Sequence, residues 1–574
     1  MSLQFIFGNS GSGKSHYLYQ QIVEESIRHP EKNYLVLVPE QFTMQTQKDL
    51  CMAHPRGGIM NIDVLSFGRL AHRVFEETGK ERQPILDDEG KNLVLRKIAG
   101  NCEDELTVLK GNLKKQGYIS EVKSVISEFT QYGIDFEQLD SFMEGLNPES
   151  YLYYKLKDIR KVYEGFEDYL RDKYITKEEL LDVLSKTVPE AKMLKDSVIA
   201  MDGFTGFTPV QNRLIEELLK VCDKIMLTVE IDRREDPFVY KHPYQLFALS
   251  KQMVTSLTEV AQEVRVEIDE PVWLCKNPSY RFKENPEMAF LEEELFRYSR
   301  RKYSGEKMRS ISLHEVHTPQ EEAQYVAEEI RRLVREEGYR YREIAVIASD
   351  LSTYADALEK ACDRYEIPVF MDHKKSILLN SFVEYLRSLL VMVEQNYTYE
   401  SVFRYLRTSL CGFTRDEVDR LENYCLALDL KGFKKWDQVW VRKTPMTTKE
   451  ELEELNHLRM RFVEKLTPLH TVLKKRKKTV KEITLAVYEY LVQEKIQEQL
   501  AELEQKFQED GELALAKEYA QIYRIVLELF DKFVELLGEE EIPLKEYCEL
   551  LDAGLEEAKV GVIPPSLDQV VIGD

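Results

Sequence analysis

The chain has 574 residues, 43% hydrophobic and 32% charged, a globular balance that supports several hydrophobic cores and excludes a disordered or fibrous polypeptide. With 102 acidic against 79 basic side chains the net charge is −23, which opposes indiscriminate binding of phosphate backbones, so any nucleic-acid contact must come from local basic patches or a more basic partner. No secretion signal opens the chain, no window reaches membrane-spanning length, and the eight cysteines include no CxxC pair, so a cytoplasmic protein with reduced thiols and no membrane contact is expected.

The apolar run Leu3-Gln4-Phe5-Ile6-Phe7 predicts a buried strand, and it leads directly into Gly8-Asn9-Ser10-Gly11-Ser12-Gly13-Lys14-Ser15, which fits GxxxxGK[ST]. That order of strand, glycine-rich loop and helix makes a phosphate cradle. Glycines let successive backbone N–H groups curl round an anion, the helix turns its positive end toward it, Lys14 reaches the β/γ-phosphates and Ser15 ligates magnesium. ATP with Mg²⁺ is the expected ligand, although the motif itself specifies a nucleotide and not which base.

Leu18, Ile22, Val23, Ser26 and Ile27 predict the inner face of a helix that stops at Pro30. Leu35 to Val38 predicts a second buried strand, and Ile62, Val64 and Phe67 a third. From about Asp87 to Pro189 helical spacing replaces the strand signal, which returns at Ser197–Asp202 and Lys224–Val229. A second α/β unit opens after Arg300-Arg301-Lys302. Thr318-Pro319-Gln320-Glu321 reads as a capping box with proline at the first helical position. Ala323, Val326, Ala327, Ile330, Leu333 and Val334 form the buried stripe, Gly338 ends the helix, and Ile344–Ile347 is the next strand. Beyond Asn396 the chain reads as helical, with Tyr519, Ile522, Val526, Leu529, Phe530 and Phe533 on one face, until Gln569–Ile572 restores a strand. A buried strand as the last element, ending at Asp574, is expected of a segment of a longer polypeptide.

Two α/β cores, each interrupted by helices, resemble the superfamily-one helicases of the UvrD/RecB type. Val64 to Val74 (VLSFGRLAHRV) is similar to the helicase segment TFHxLAxRIL, which lies along single-stranded DNA in that family. Glu343–Ile347, Ala357-Leu358-Glu359 and Glu366-Ile367-Pro368-Val369 are similar to a fourth helicase motif, DIAVLxR…LE…GIP, and Asp202 to Gln211 stands where a helicase reads DEFQDT. The resemblance implies two RecA-like cores. Residues 1–85 and 190–270 are then the first core, 86–189 its helical insertion, 271–310 a linker, 311–392 and 560–574 the second core, and 393–559 its helical insertion.

The departures from that pattern each remove a part that ATP turnover needs. Asp202 can still serve Mg²⁺ through Ser15 and water, but Gly203 occupies the place of the glutamate that positions the attacking water, and Ala348-Ser349 the place of an arginine directed at the γ-phosphate. With the first strand predicted from Leu3, the glutamine that reads adenine in those helicases is not expected ahead of it. No residue is therefore assigned a catalytic role, and nucleotide binding with little hydrolysis is expected. A Gly203→Glu change would return the missing carboxylate, with turnover still slow for want of the arginine.

Three segments, Phe5 to Ser15 (FIxGxSGSGKS), Leu35 to Thr43 (LVLVPEQFT) and Asp202 to Pro209 (DGFTGFTP), resemble the AddB (RexB) family. The resemblance implies the B subunit of a bacterial ATP-dependent helicase–deoxyribonuclease acting in double-strand break repair by recombination. It further implies a heterodimer with an AddA-type motor subunit, binding of double- and single-stranded DNA, recognition of Chi by inactivated helicase domains, and a downstream nuclease domain with a [4Fe–4S] cluster, none of whose residues falls on this chain. An active superfamily-one helicase is the alternative, and a small-molecule kinase the least expected reading. Phe67, Arg69 and Arg73 are the candidate DNA contacts, against the reading in which Phe67 is core and the arginines pair with acidic neighbours. Lys474-Lys475-Arg476-Lys477-Lys478 reads as a phosphate grip or, preferably, a solvated helix end, and Trp436 with Trp440 as core.

Overall fold

The structure is a computed structural model that describes residues 1–79, 84–111, 117–171, 173–305, 308–371, 375–408, 410–444, 447–560 and 568–573. Asp574 and part of the segment 560–574 assigned above to the second core therefore lie outside the described residues. The chain forms two compact units, Met1–Asp87 with Ile98–His314, and Asp88–Lys97 with Glu315–Asp574.

The first unit runs β1 (Ser2–Gly8), α1 (Lys14–Arg28), β2 (Tyr34–Leu37), α2 (Thr43–Ala53), β3 (Ile62–Leu65), α3 (Phe67–Thr78) and β4 (Ile85–Leu86). After α4 (Asp88–Asn101), shared with the second unit, come α5 (Tyr118–Tyr132), α6 (Phe136–Glu144), α7 (Tyr151–Leu170), β5 (Ile175–Thr176) and α8 (Leu180–Thr187). The sheet is then completed by β6 (Val198–Met201), α9 (Pro209–Leu219), β7 (Lys224–Glu230), α10 (Ala248–Glu263), β8 (Glu267–Ile268), β9 (Val272–Trp273) and α11 (Pro286–Glu294).

Seven strands form one sheet in the order β3-β2-β6-β7-β1-β8, with β9 also on β1. Every pairing in it is parallel. The strand period of two sorts its side chains onto two cores. Phe5, Phe7, Leu35, Leu37, Ile199, Met201, Leu227 and Val229 pack against α3, α8, α9 and α10. Ile6, Val36, Val198, Ala200 and Met226 pack on the other face against Leu18, Ile22 and Val23 of α1 and Leu50 of α2. A parallel sheet buried on both faces places its loops and helix amino termini at the carboxyl edge, and that is where the phosphate loop emerges.

Several sequence readings are corrected. Ile27 is 49% exposed, because α1 needs only a narrow stripe to cover β1 and β7. Phe67 is not in a strand: Ser66, in extended conformation, accepts from the Arg69 N–H and starts α3 at Phe67. The helical stretch within 86–189 contains β5, which pairs with β4 in parallel, too short a strand to show as periodicity. Residues 271–310 are not a free linker, since β9 joins the sheet in the register Ile6↔Val272 and Phe7↔Trp273.

The second unit opens with α12 (Pro319–Glu336), β10 (Ala345–Ile347), α13 (Leu351–Arg364) and β11 (Val369–Met371), followed by the short β12 (Lys375–Ser376). Then come α14 (Ser381–Glu394), α15 (Tyr399–Leu406), α16 (Arg415–Leu428), α17 (Phe433–Asp437), α18 (Lys449–Leu473), α19 (Val480–Gln493), α20 (Ile496–Glu509), α21 (Leu513–Leu537) and α22 (Leu544–Glu557). The unit closes with β13 (Lys559–Val560) and β14 (Val570–Gly573). β14 inserts between β10 and β11, both parallel to it, so the last strand of the sequence is the central strand of its sheet. Thr318 caps α12 through the Glu321 N–H, but the box predicted there is displaced: the Glu321 carboxylate accepts from the His317 N–H, at 3.0 Å, one residue outside the cap.

Together these elements are an α/β fold: a parallel sheet with the phosphate loop at its carboxyl edge, and a second unit whose three-stranded parallel sheet is accompanied by a large helical array.

Candidate nucleotide-binding site

The loop between β1 and α1 is shaped by where a side chain is impossible. Gly11 has φ +70 and Gly13 φ +92, in the left-handed region that favours glycine. At Gly8 a Cβ would stand 2.4 Å from Ser12 Oγ and 3.1 Å from the Leu274 carbonyl oxygen. At Gly11 it would stand 2.8 Å from the Cβ of Arg281. Gly13 is the N-cap of α1 and provides no side-chain cap, so the first N–H groups of the helix stay available to an anion.

Lys14 lies at the start of that helix with its Nζ 3.0 Å from the Asn9 carbonyl oxygen. Burial holds its ammonium below the usual lysine range, opposed by the carboxylates of Glu230, Asp202 and Glu292. A desolvated cation ringed by fixed acceptors is poised to favour an incoming anion.

Asp202 follows β6 and is 7% exposed. Its Oδ2 accepts from the Tyr19 hydroxyl at 2.8 Å and its Oδ1 from the Thr228 hydroxyl. Tyr19 is one turn beyond Ser15 on α1, so the same helix face carries Ser15 and anchors Asp202. Burial and the Asp202 charge push the Tyr19 phenol well above its ordinary range, which keeps it a donor. Each carboxylate oxygen retains a second lone pair for a metal-bound water.

The donor set fits a magnesium nucleotide. The loop N–H groups, Lys14 and Ser15 would hold the phosphates and the ion, with Asp202 acting through water, and the nucleotide would bring a phosphoanhydride open to attack by water. The hydrolytic parts are a different matter. Gly203 has φ +78, and its Cβ position stands 3.6 Å from Pro39 and from the Phe42 ring. Those are ordinary contacts, but the left-handed backbone there suits glycine, so the position offers no carboxylate and would strain one.

Sequence reasoning missed the segment that covers the loop. After β9 the chain crosses the phosphate loop: Leu274 N–H donates to the Phe7 carbonyl at 2.8 Å and Arg281 N–H to the Gly11 carbonyl at 3.0 Å. Glu292 on α11 accepts from Asn9 Nδ2 at 3.0 Å. Arg297 pairs with Asp232 and Glu235 at 2.8 and 3.1 Å, and the buried Lys251 pairs with Glu235 at 2.6 Å, which ties this strap to the end of β7. The apolar triplet Val272-Trp273-Leu274 was the one signal of it, too short to separate from a loop.

The three candidate DNA contacts lie as follows in the fold. The Phe67 ring is 8% exposed and packs on Phe204 and Phe207, with centroids 5.4 and 6.3 Å away, so it offers no face to a base. Arg69 pairs with Glu40 at 3.3 Å and Arg73 with Asp63 at 2.7 Å, both on the exposed surface. In the basic run after α18, Lys477 pairs with Glu541 at 3.6 Å and Lys478 is buried with its Nζ on the Lys475 carbonyl oxygen. Trp436 and Trp440 are core, 1% and 6% exposed.

A family model described as ADDB, N-terminal, matches residues 5–292, and one described as a UvrD-like helicase C-terminal domain matches residues 281–559. A protein of Lachnoclostridium phytofermentans, named as the B subunit of an ATP-dependent helicase/deoxyribonuclease, is 42% identical over 580 residues, covering 100% of this chain and 50% of the relative. Proteins of the same name from Clostridium novyi and Acetivibrio thermocellus are each 33% identical, again covering 100% of this chain and 50% of theirs. The chain thus spans about half the length of the curated relatives it matches. Among the described residues, no helix is long and apolar enough to cross a membrane.

Proposed function

Because this chain belongs to the AddB family, we propose that it is the helicase-like part of the B subunit of an ATP-dependent helicase–deoxyribonuclease that processes broken DNA ends for recombination. In this reading it binds ATP with Mg²⁺ on Gly8–Ser15 and Asp202 and hydrolyses it poorly. The carrying observation is the pairing of an intact phosphate cradle with Gly203 at φ +78 where a water-positioning carboxylate is needed. Binding and turnover need different groups, and Gly203 supplies nothing for the second.

The domain scheme follows the same reading: a first RecA-like core at 1–85 and 190–270 with its insertion at 86–189, and a second at 311–392 and 560–574 with its insertion at 393–559. The segment 271–310 serves as a cover for the nucleotide site and not as a linker. The inactivated cores bind single- and double-stranded DNA and recognise Chi beside an AddA-type motor subunit, and the nuclease with its [4Fe–4S] cluster lies in the part of the relatives that this chain does not span.

Titration calorimetry of the chain with ATP and Mg²⁺, paired with a phosphate-release assay with and without single-stranded DNA, tests this. Saturable binding that disappears in Lys14→Ala, with release no faster than in that variant, is the expected result. DNA-stimulated release abolished by Lys14→Ala would instead favour an active helicase.

A further inference from the structure

The strap carries a polar group that the phosphate-loop motif does not account for. Ser279 is 1% exposed, and its hydroxyl has no hydrogen-bond partner among the described residues. It occupies the N-cap position of the short 3-10 turn Tyr280–Phe282, where a serine usually bonds the turn's own N–H groups, yet its side chain makes no such cap. Its Oγ instead faces the loop, 3.2 Å from the position a Cβ would take on Gly11. Asn9 Oδ1 and Ser12 Oγ, both on the loop, are buried without partners as well. Buried polar atoms are nearly always satisfied, and several orphans gathered at one loop point to a ligand that satisfies them.

The strap is held firmly enough to present that hydroxyl. Arg281 N–H is bonded to the Gly11 carbonyl at 3.0 Å, Glu292 to Asn9 at 3.0 Å, and Arg234 Nη2 to the Glu293 carbonyl at 2.7 Å. A serine hydroxyl is a donor with free rotation, and the ligand for which the loop is built is a polyanion.

We infer that Ser279 is a phosphate ligand of the nucleotide site, its hydroxyl donating to the phosphate chain from the strap, so that a bound nucleotide fastens residues 272–294 onto the phosphate loop. The inference rests on the reading that the loop binds ATP and adds to it a second segment. Loop and strap then form a clasp: the nucleotide bridges Gly8–Ser15 on one side and Ser279 on the other, and the state of the strap reports occupancy to the charge network of Asp232, Glu235, Lys251 and Arg297.

The test measures ATP affinity by calorimetry for the whole chain, its Ser279→Ala variant and Lys14→Ala, with tryptic cleavage after Arg281 and Lys283 followed at saturating ATP. Loss of one hydrogen bond to a charged group weakens binding about ten-fold or more. Ser279→Ala is expected to show that loss with an unchanged melting temperature in the absence of nucleotide, and ATP should slow cleavage of the strap in the wild type but not in the variant. Wild-type affinity in Ser279→Ala, or equal protection of its strap, overturns the inference and leaves nucleotide binding standing. Failure of the wild type itself to bind ATP overturns both. Should Ser279→Ala fold poorly, Ser279→Cys, near in size and a weak donor, is read by the same criteria.

Discussion

Gly11 and Gly13 both sit at positive φ in the same loop, but only one of them is also crowded, which separates backbone strain from contact with the strap. Replacing either by alanine costs about 1–2 kcal/mol for a left-handed residue with a Cβ. At Gly13 nothing lies within 4 Å of the new atom, so that cost stands alone. At Gly11 the Cβ would sit 2.8 Å from Arg281 Cβ. Carbon atoms want about 3.5–4.0 Å, so the strap must retreat by roughly 1 Å. That retreat stretches the Arg281 N–H to Gly11 carbonyl bond, now 3.0 Å, out of range and loses about 1 kcal/mol more. At about 2–4 °C per kcal/mol, Gly11→Ala should melt about 2–4 °C below Gly13→Ala in calorimetry without nucleotide. It should also be cut faster by trypsin after Arg281. Equal melting temperatures and equal cleavage would refute the claim that the strap is packed on Gly11.

Other outcomes follow from the same geometry. Lys14→Met should abolish ATP binding without lowering the melting temperature at neutral pH, because the native ammonium is held below its ordinary value of 10.5 by burial. That cost is fully present while Lys14 is protonated in the folded state and is relieved as pH rises toward 10.5, so wild type should gain stability relative to Lys14→Met over that alkaline range in paired melting curves. Thr228→Val removes a donor from the buried Asp202 and should cost about 1–3 kcal/mol in denaturant unfolding, with a weaker dependence of ATP affinity on magnesium. Gly203→Glu should destabilise by about 1–2 kcal/mol, since φ is +78 there, and should raise phosphate release only slowly above background.

What was legible in the sequence was whatever has a local cause. The phosphate loop is a dense pattern of residue types with one chemical use, and the strands β1, β2, β6 and β7 are buried on both faces, so their apolar runs are continuous. Phe67 reads as strand because its apolar side chain prolongs the pattern of Ile62 and Val64, whereas the Ser66 cap starts α3 there. The loop's outer contacts were not legible. Ser279, Arg281 and Glu292 reach the loop only because β9 pairs with β1 across more than 260 residues of sequence, and a two-residue strand leaves no period to read. Which acidic side chains Arg69 and Arg73 meet, Glu40 and Asp63, is set by the fold and not by local sequence.

The most direct test of the account is a single-turnover experiment in which γ-labelled ATP is bound to the wild-type chain, the complex is isolated and held with single-stranded DNA, and the nucleotide is extracted and separated. Recovery of intact ATP, retained by wild type and not by Lys14→Ala, is the predicted result. Label recovered as free phosphate, at a rate that vanishes with Lys14→Ala, would contradict it.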